Sequence, residues 1–148
     1  MEQLAKRLEP YGQVTNHDWN DPGVVPAIGQ QSKDDPIVVI GFSLGANQLG
    51  WINDKTGRRI QLGVAYDPSR QSPLVGTSED GRPYTQTATH YDRLLCYYNP
   101  GTWIYGGSRY VGSNVETTHI DMPHLSVQFS EALHTRTIAA VRSLKGDK

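Results

Sequence analysis

The sequence predicts an α/β fold of three layers, with helices packed on both faces of a mainly parallel sheet. Two observations carry that expectation. Short apolar runs alternate with stretches of helical spacing, and strand-helix alternation is what builds βαβ units. Two of the runs, Ile37-Val38-Val39-Ile40 and Ile60 to Tyr66, are continuously or almost continuously apolar, as strands covered on both faces are.

The elements follow in order. Met1, Leu4, Ala5 and Leu8 recur at helical spacing until Pro10 and Gly12 stop the pattern. Gln13-Val14-Thr15 reads as a short strand, with a loop from His17 to Asp21 at its end. Val24 to Gln31 reads as a short helix that tolerates Pro26 only in its first turn. Asp34-Asp35-Pro36 breaks the chain ahead of the strand Ile37–Ile40. Leu44 to Trp51 is the helix that follows it, Asn53 to Gly57 a turn, and Ile60 to Tyr66 the second buried strand, ended by Asp67-Pro68. Residues 69–113, rich in Gly, Ser, Pro, Tyr and Thr, are expected to form an irregular excursion that serves as a pocket wall or lid. Val115 to Ile120 is a third strand, and Ser126 to Leu144 a final amphipathic helix whose core contacts are Leu133, Ile138, Val141 and Leu144.

Composition narrows the function classes. The 148 residues suit a single domain, taken as residues 1–148, with one sizeable core. A formal net charge of -1 gives no electrostatic footprint for nucleic acid. The longest apolar run is far too short to span a bilayer, and no apolar stretch near Met1 resembles a secretory signal. The single cysteine, Cys96, excludes an intrachain disulfide; within Leu94-Leu95-Cys96-Tyr97-Tyr98 it reads as a small packed residue, and the default compartment is a reducing cytoplasm.

Chemistry concentrates at Gly41-Phe42-Ser43-Leu44-Gly45. A Gly-x-Ser-x-Gly run is weak evidence alone, but here an apolar strand runs straight into it and a helix follows. A sharp, strained turn at Ser43 lifts its hydroxyl above the sheet, with Gly41 and Gly45 expected to make room by omitting side chains. The helix N-terminus beneath favours developing negative charge, and the Leu44 N–H is the expected oxyanion donor. The competing reading is a Gly-rich turn whose serine merely caps the helix.

A serine hydroxyl needs a histidine base, and the base an orienting carboxylate, in the chain order Ser, acid, His. Asp67 stands at the carboxyl end of the next strand. Its competing role is a turn aspartate before Pro68. For the base, His124 lies on the loop past the third strand and is favoured over His119, which lies inside that strand. His134 reads as a solvated or packed helix residue, His17 as a residue bordering the pocket, and His90 has no clear role. The stretch from Tyr97 to Tyr110, with Trp103, is a candidate acyl pocket or lid, or else a packed loop.

These residues resemble a known family. Asp35 to Asn47 resembles the elbow of small bacterial lipase-like and thioesterase-like α/β-hydrolases, and Val64-Ala65-Tyr66-Asp67-Pro68 resembles their acid-bearing strand. Tyr97-Tyr98-Asn99-Pro100 with Gly106-Gly107 is similar to their segment between acid and base. Asn114-Val115, then Pro123-His124-Leu125-Ser126-Val127, resembles their base loop. The resemblance implies hydrolysis of a small-molecule ester or thioester through an acyl-enzyme, with Ser43, Asp67 and His124 as triad, Leu44 as one oxyanion donor, and no metal or organic cofactor. In that fold a strand precedes the helix at Met1–Glu9, and its exit loop supplies the second oxyanion N–H. The sequence begins at the helix, so the expectation is a minimal α/β-hydrolase-type domain truncated at its N-terminus, with the edge of Ile37–Ile40 exposed and prone to homodimerisation. The alternative function is a catalytically impaired or non-catalytic interaction protein on the same fold. A serine peptidase or lyase shares every triad residue.

Overall fold

The computed structural model describes residues 1–69, 85–100 and 107–146. Its centre is a four-stranded sheet of β1 (Val38–Phe42), β2 (Ile60–Tyr66), β4 (Tyr91–Tyr98) and β6 (Val115–His119), in the order β1-β2-β4-β6 with every pair parallel. Two two-residue strands, β3 (Thr85–Gln86) and β5 (Arg109–Tyr110), pair with each other. The helices are α1 (Glu2–Leu8), α2 (Val24–Gln30), α3 (Leu44–Lys55), the single turn α4 (His124–Val127) and α5 (Glu131–Leu144).

Alternation along the strands divides the core. Leu62, Val64 and Tyr66 of β2 and Leu95 and Tyr97 of β4 pack with Leu4 and Leu8 of α1 and with Leu133, Ala140 and Val141 of α5. On the opposite face, Ala65, Leu94 and Cys96 pack with Ile28 of α2 and with Ala46, Leu49 and Ile52 of α3. The fold is therefore α/β with helices on both faces, as the alternation of periods predicts. Arg7 and Glu131 join α1 to α5 through two bonds of 2.8 and 2.7 Å. At the far end of α3, Asn53 accepts the His90 N–H at 2.7 Å and His90 Nδ1 donates to the Asn53 carbonyl at 2.5 Å, pinning the helix to the start of β4. None of the described helices is long and apolar enough to cross a membrane.

Several sequence expectations need correction. The irregular excursion at 69–113 contains β4, an eight-residue strand in the middle of the sheet; the apolar run Leu94 to Tyr98 is its core. Residues 70–84 and 101–106, including Trp103, lie outside the described residues. Tyr97 and Tyr110, the two ends of the candidate pocket or lid stretch, are both buried in the core. Gln13 to Thr15 forms no strand, because no neighbour pairs with it. The helix α3 continues through Asn53 to Lys55, taking up the first three residues of the expected turn, and stops where Thr56 becomes extended. The last helix is two: Ser130 leaves helical geometry and its side chain accepts the Leu133 N–H, restarting the chain as α5. Finally, β1 is an edge strand among the described residues. Val38, Val39 and Ile40 are accordingly half-buried rather than covered on both faces.

Candidate active site

The carboxyl ends of β1, β2 and β6 bring the three sequence candidates together. Ser43 follows β1 directly and has φ 56° and ψ -119°, a left-handed conformation that a serine adopts only when its surroundings impose it. Main-chain hydrogen bonds on both its N–H and its carbonyl, which also accepts from Asn47 and Ser69 at 3.3 Å, hold it there. Its N–H donates to the Tyr66 carbonyl at 3.0 Å, and its carbonyl accepts from Ala46 at 3.0 Å inside α3. The Ser43 side chain makes no capping bond to α3, so it is not an incidental N-cap.

The two motif glycines are not equivalent. A Cβ on Gly41 would fall 2.2 Å from the Gly45 carbonyl oxygen, whereas one on Gly45 would meet nothing within 4 Å. Space is thus demanded at Gly41 alone, which corrects the expectation for Gly45. Gly41→Ala is expected to destabilise the fold by about 1–3 kcal/mol or more through overpacking. Gly45→Ala, in an open helical position, is expected to stabilise it by roughly 0.5–1 kcal/mol. Urea melts of the two variants check this contrast, and equal effects would contradict it.

Asp67 is fully buried and also has positive φ, 44°. Its N–H donates to the Tyr97 carbonyl at 2.6 Å, extending the β2–β4 ladder one residue past the strand. Its Oδ1 accepts the N–H groups of Asn99 at 3.0 Å and Gly107 at 3.2 Å. Its Oδ2 lies 2.7 Å from His124 Nδ1. Three partners satisfy a carboxylate that has no access to water.

His124 opens α4 and is 7% exposed. Its Nε2 lies 2.9 Å from Ser43 Oγ, and the Phe42 ring stacks on the imidazole at 5.0 Å. Partner chemistry fixes the tautomer: an ionised carboxylate can only accept, so Nδ1 carries the hydrogen and Nε2 is free to accept the Ser43 hydroxyl proton. The relay therefore runs unbroken from a buried anion to a half-exposed hydroxyl. Leu44 begins α3, and the N–H of a first helical residue has no intrahelical carbonyl to bond. It remains available to an anion beside Ser43.

The other histidines stand apart from this relay. His119 lies on β6, exposed, against the Tyr98 ring at 5.9 Å. His134 is buried in α5, where its Nε2 donates to the Gln128 carbonyl at 2.9 Å and burial lowers its pKa. His17 is bonded to Asp21 at 2.7 Å in an exposed pair. Cys96 is buried, and burial pushes its thiol up to about 11, well away from nucleophilic use. No group of three or more His, Cys, Asp or Glu among the described residues could hold a metal ion.

Sequence reasoning missed the roles of Phe42, Asn99 and Gly107. Phe42 was visible only as one of the two variable residues of the motif. Asn99 stands just past the end of β4, and both it and Gly107 entered the sequence reading only through the segment that resembles the stretch between acid and base, with no role attached. Two surface recesses, of about 250 and 310 Å³, are lined by α1 residues and by the Arg93–Arg136 region respectively, and neither borders Ser43. Compared with known proteins, the chain matches no family model, no curated protein and no solved structure.

Proposed function

We propose that this chain is a serine hydrolase of α/β-hydrolase type that cleaves carboxylic ester or thioester bonds through an acyl-enzyme. The continuous hydrogen-bonded relay from Asp67 through His124 to Ser43 carries the reading. In that reaction Ser43 Oγ attacks the acyl carbon while His124 Nε2 takes its proton. The oxyanion of the tetrahedral intermediate lies against the Leu44 N–H and the N-terminus of α3, one such donor being worth about a hundred- to a thousandfold in rate. His124 then returns the proton to the leaving oxygen or sulfur. Water, deprotonated by the same nitrogen, releases the acid and restores the hydroxyl. Asp67 holds the imidazole in the working tautomer and offsets the charge it gains.

The surroundings favour this chemistry over a purely structural role for the three side chains. A buried aspartate, a stacked imidazole and a strained serine all converge on one half-exposed oxygen. Strain of that kind, of order 1–3 kcal/mol per residue, concentrates at functional sites. Leu125 and Phe129, 67% and 60% exposed, follow His124 closely in the chain, and apolar surface there suits an apolar acyl group.

A fluorophosphonate probe tests the proposal. The intact chain is expected to become covalently labelled, and Ser43→Ala to lose all label. An unlabelled wild-type chain, or label that survives in Ser43→Ala, contradicts it. In the first of those outcomes the alternative, a non-catalytic interaction protein, gains.

A further inference from the structure

The sheet order sets a mechanical problem that the triad alone does not solve. The acid stands at the end of β2 and the nucleophile at the end of β1, but the base arrives from β6, on the far side of β4. With strands about 4.8 Å apart, the base segment starts roughly 14 Å from the nucleophile strand and must pass over the end of β4. Ile120 is still tied to β4, its N–H donating to the Tyr98 carbonyl at 2.9 Å. Only Asp121, Met122 and Pro123 then separate it from His124, and they have no regular structure.

Asn99 is the residue this segment crosses. Its side-chain Nδ2 donates to the Met122 carbonyl at 2.8 Å, tying the segment to the end of β4, while the Ser126 N–H of the helix that follows donates to the Pro123 carbonyl at 2.9 Å. Its main-chain N–H donates to Asp67 Oδ1 at 3.0 Å. It is 8% exposed; its bond to Asp67 is buried and its bond to Met122 partly buried. We propose that Asn99 is a positioning residue for the reaction: its main chain fixes the acid and its side chain fixes the base segment, setting the distance between them. The proposal rests on reading Ser43, Asp67 and His124 as a hydrolytic relay. It requires a side-chain donor, which the Asn99 amide supplies, because the Met122 carbonyl can only accept. A short side chain with few rotatable bonds holds this distance better than a longer one.

Asn99→Ala and Asn99→Asp both keep the main-chain N–H to Asp67 and remove the donor to Met122. A misplacement of about 1 Å in such a site costs on the order of a hundredfold. Each variant is therefore expected to lower kcat on a p-nitrophenyl ester by about ten- to a hundredfold, with KM unchanged. Each is also expected to lose the low-field proton resonance of the Nδ1–H between His124 and Asp67. Asn99→Asp preserves side-chain volume and serves if the alanine variant does not fold. Wild-type kcat in a folded variant overturns the proposal; so does a raised KM at unchanged kcat, or a lowered kcat with the resonance intact. The resonance is read without turnover. A wild-type chain that shows it but takes no fluorophosphonate label contradicts the hydrolase reading while leaving the role of Asn99 testable.

Discussion

His124→Ala is expected to lower kcat for ester hydrolysis by about a millionfold, and adding Ser43→Ala to it is expected to lower kcat no further. The two side chains act as one unit. Without the imidazole, Ser43 keeps its proton and is a poor nucleophile; without the hydroxyl, the imidazole has nothing to activate. Their 2.9 Å contact makes the dependence direct. What survives either change is the contribution of the Leu44 N–H, the α3 terminus and substrate binding, roughly a thousandfold to ten-thousandfold over water. Steady-state rates of the two single variants and the double variant form the test. Losses that multiply would mean that the side chains act independently and would break the relay as a mechanism.

Asp67→Asn is expected to lower kcat by about ten-thousandfold while leaving the fold nearly as stable as before. Asparagine tolerates the positive φ of 44° at this position. Its oxygen can still accept the N–H groups of Asn99 and Gly107. Its amide nitrogen then faces His124 Nδ1 as a donor. The imidazole must move its hydrogen to Nε2, where it can no longer accept from Ser43. Asp67→Ala differs, because it strands the buried N–H groups of Asn99 and Gly107 and the Nδ1–H of His124, at about 1–3 kcal/mol each, and should also melt at a lower temperature. Thermal melts and kcat measured together separate the two variants. An asparagine variant within tenfold of wild type would remove Asp67 from the mechanism.

Local patterns carried much of the architecture. The β2 strand appears as its apolar run predicts, from Ile60 to Tyr66, and α1, α2 and β6 lie within a residue or two of their expected bounds. Turn chemistry marked the strained residue at Ser43, since a tight strand-to-helix turn needs a residue without a side chain at Gly41. The β4 strand was hidden because its apolar run sits between segments rich in Gly, Ser and Tyr, and composition outweighed a five-residue signal. The half-burial of β1 was not legible either, because an apolar run reads alike at the edge and in the middle of a sheet.

The sequence by itself determined the α/β class, the elbow at Ser43 and the chain order serine, acid, histidine, because period, turn geometry and order are properties of neighbours along the chain. The tertiary structure decided which residues meet. It set β4 between β2 and β6, which put Asn99 beneath the segment that carries His124. It also brought the His124 ring against Phe42 and the Asp67 carboxylate onto two main-chain N–H groups. Such contacts span tens of residues of sequence, and their energies depend on distances that no local pattern specifies.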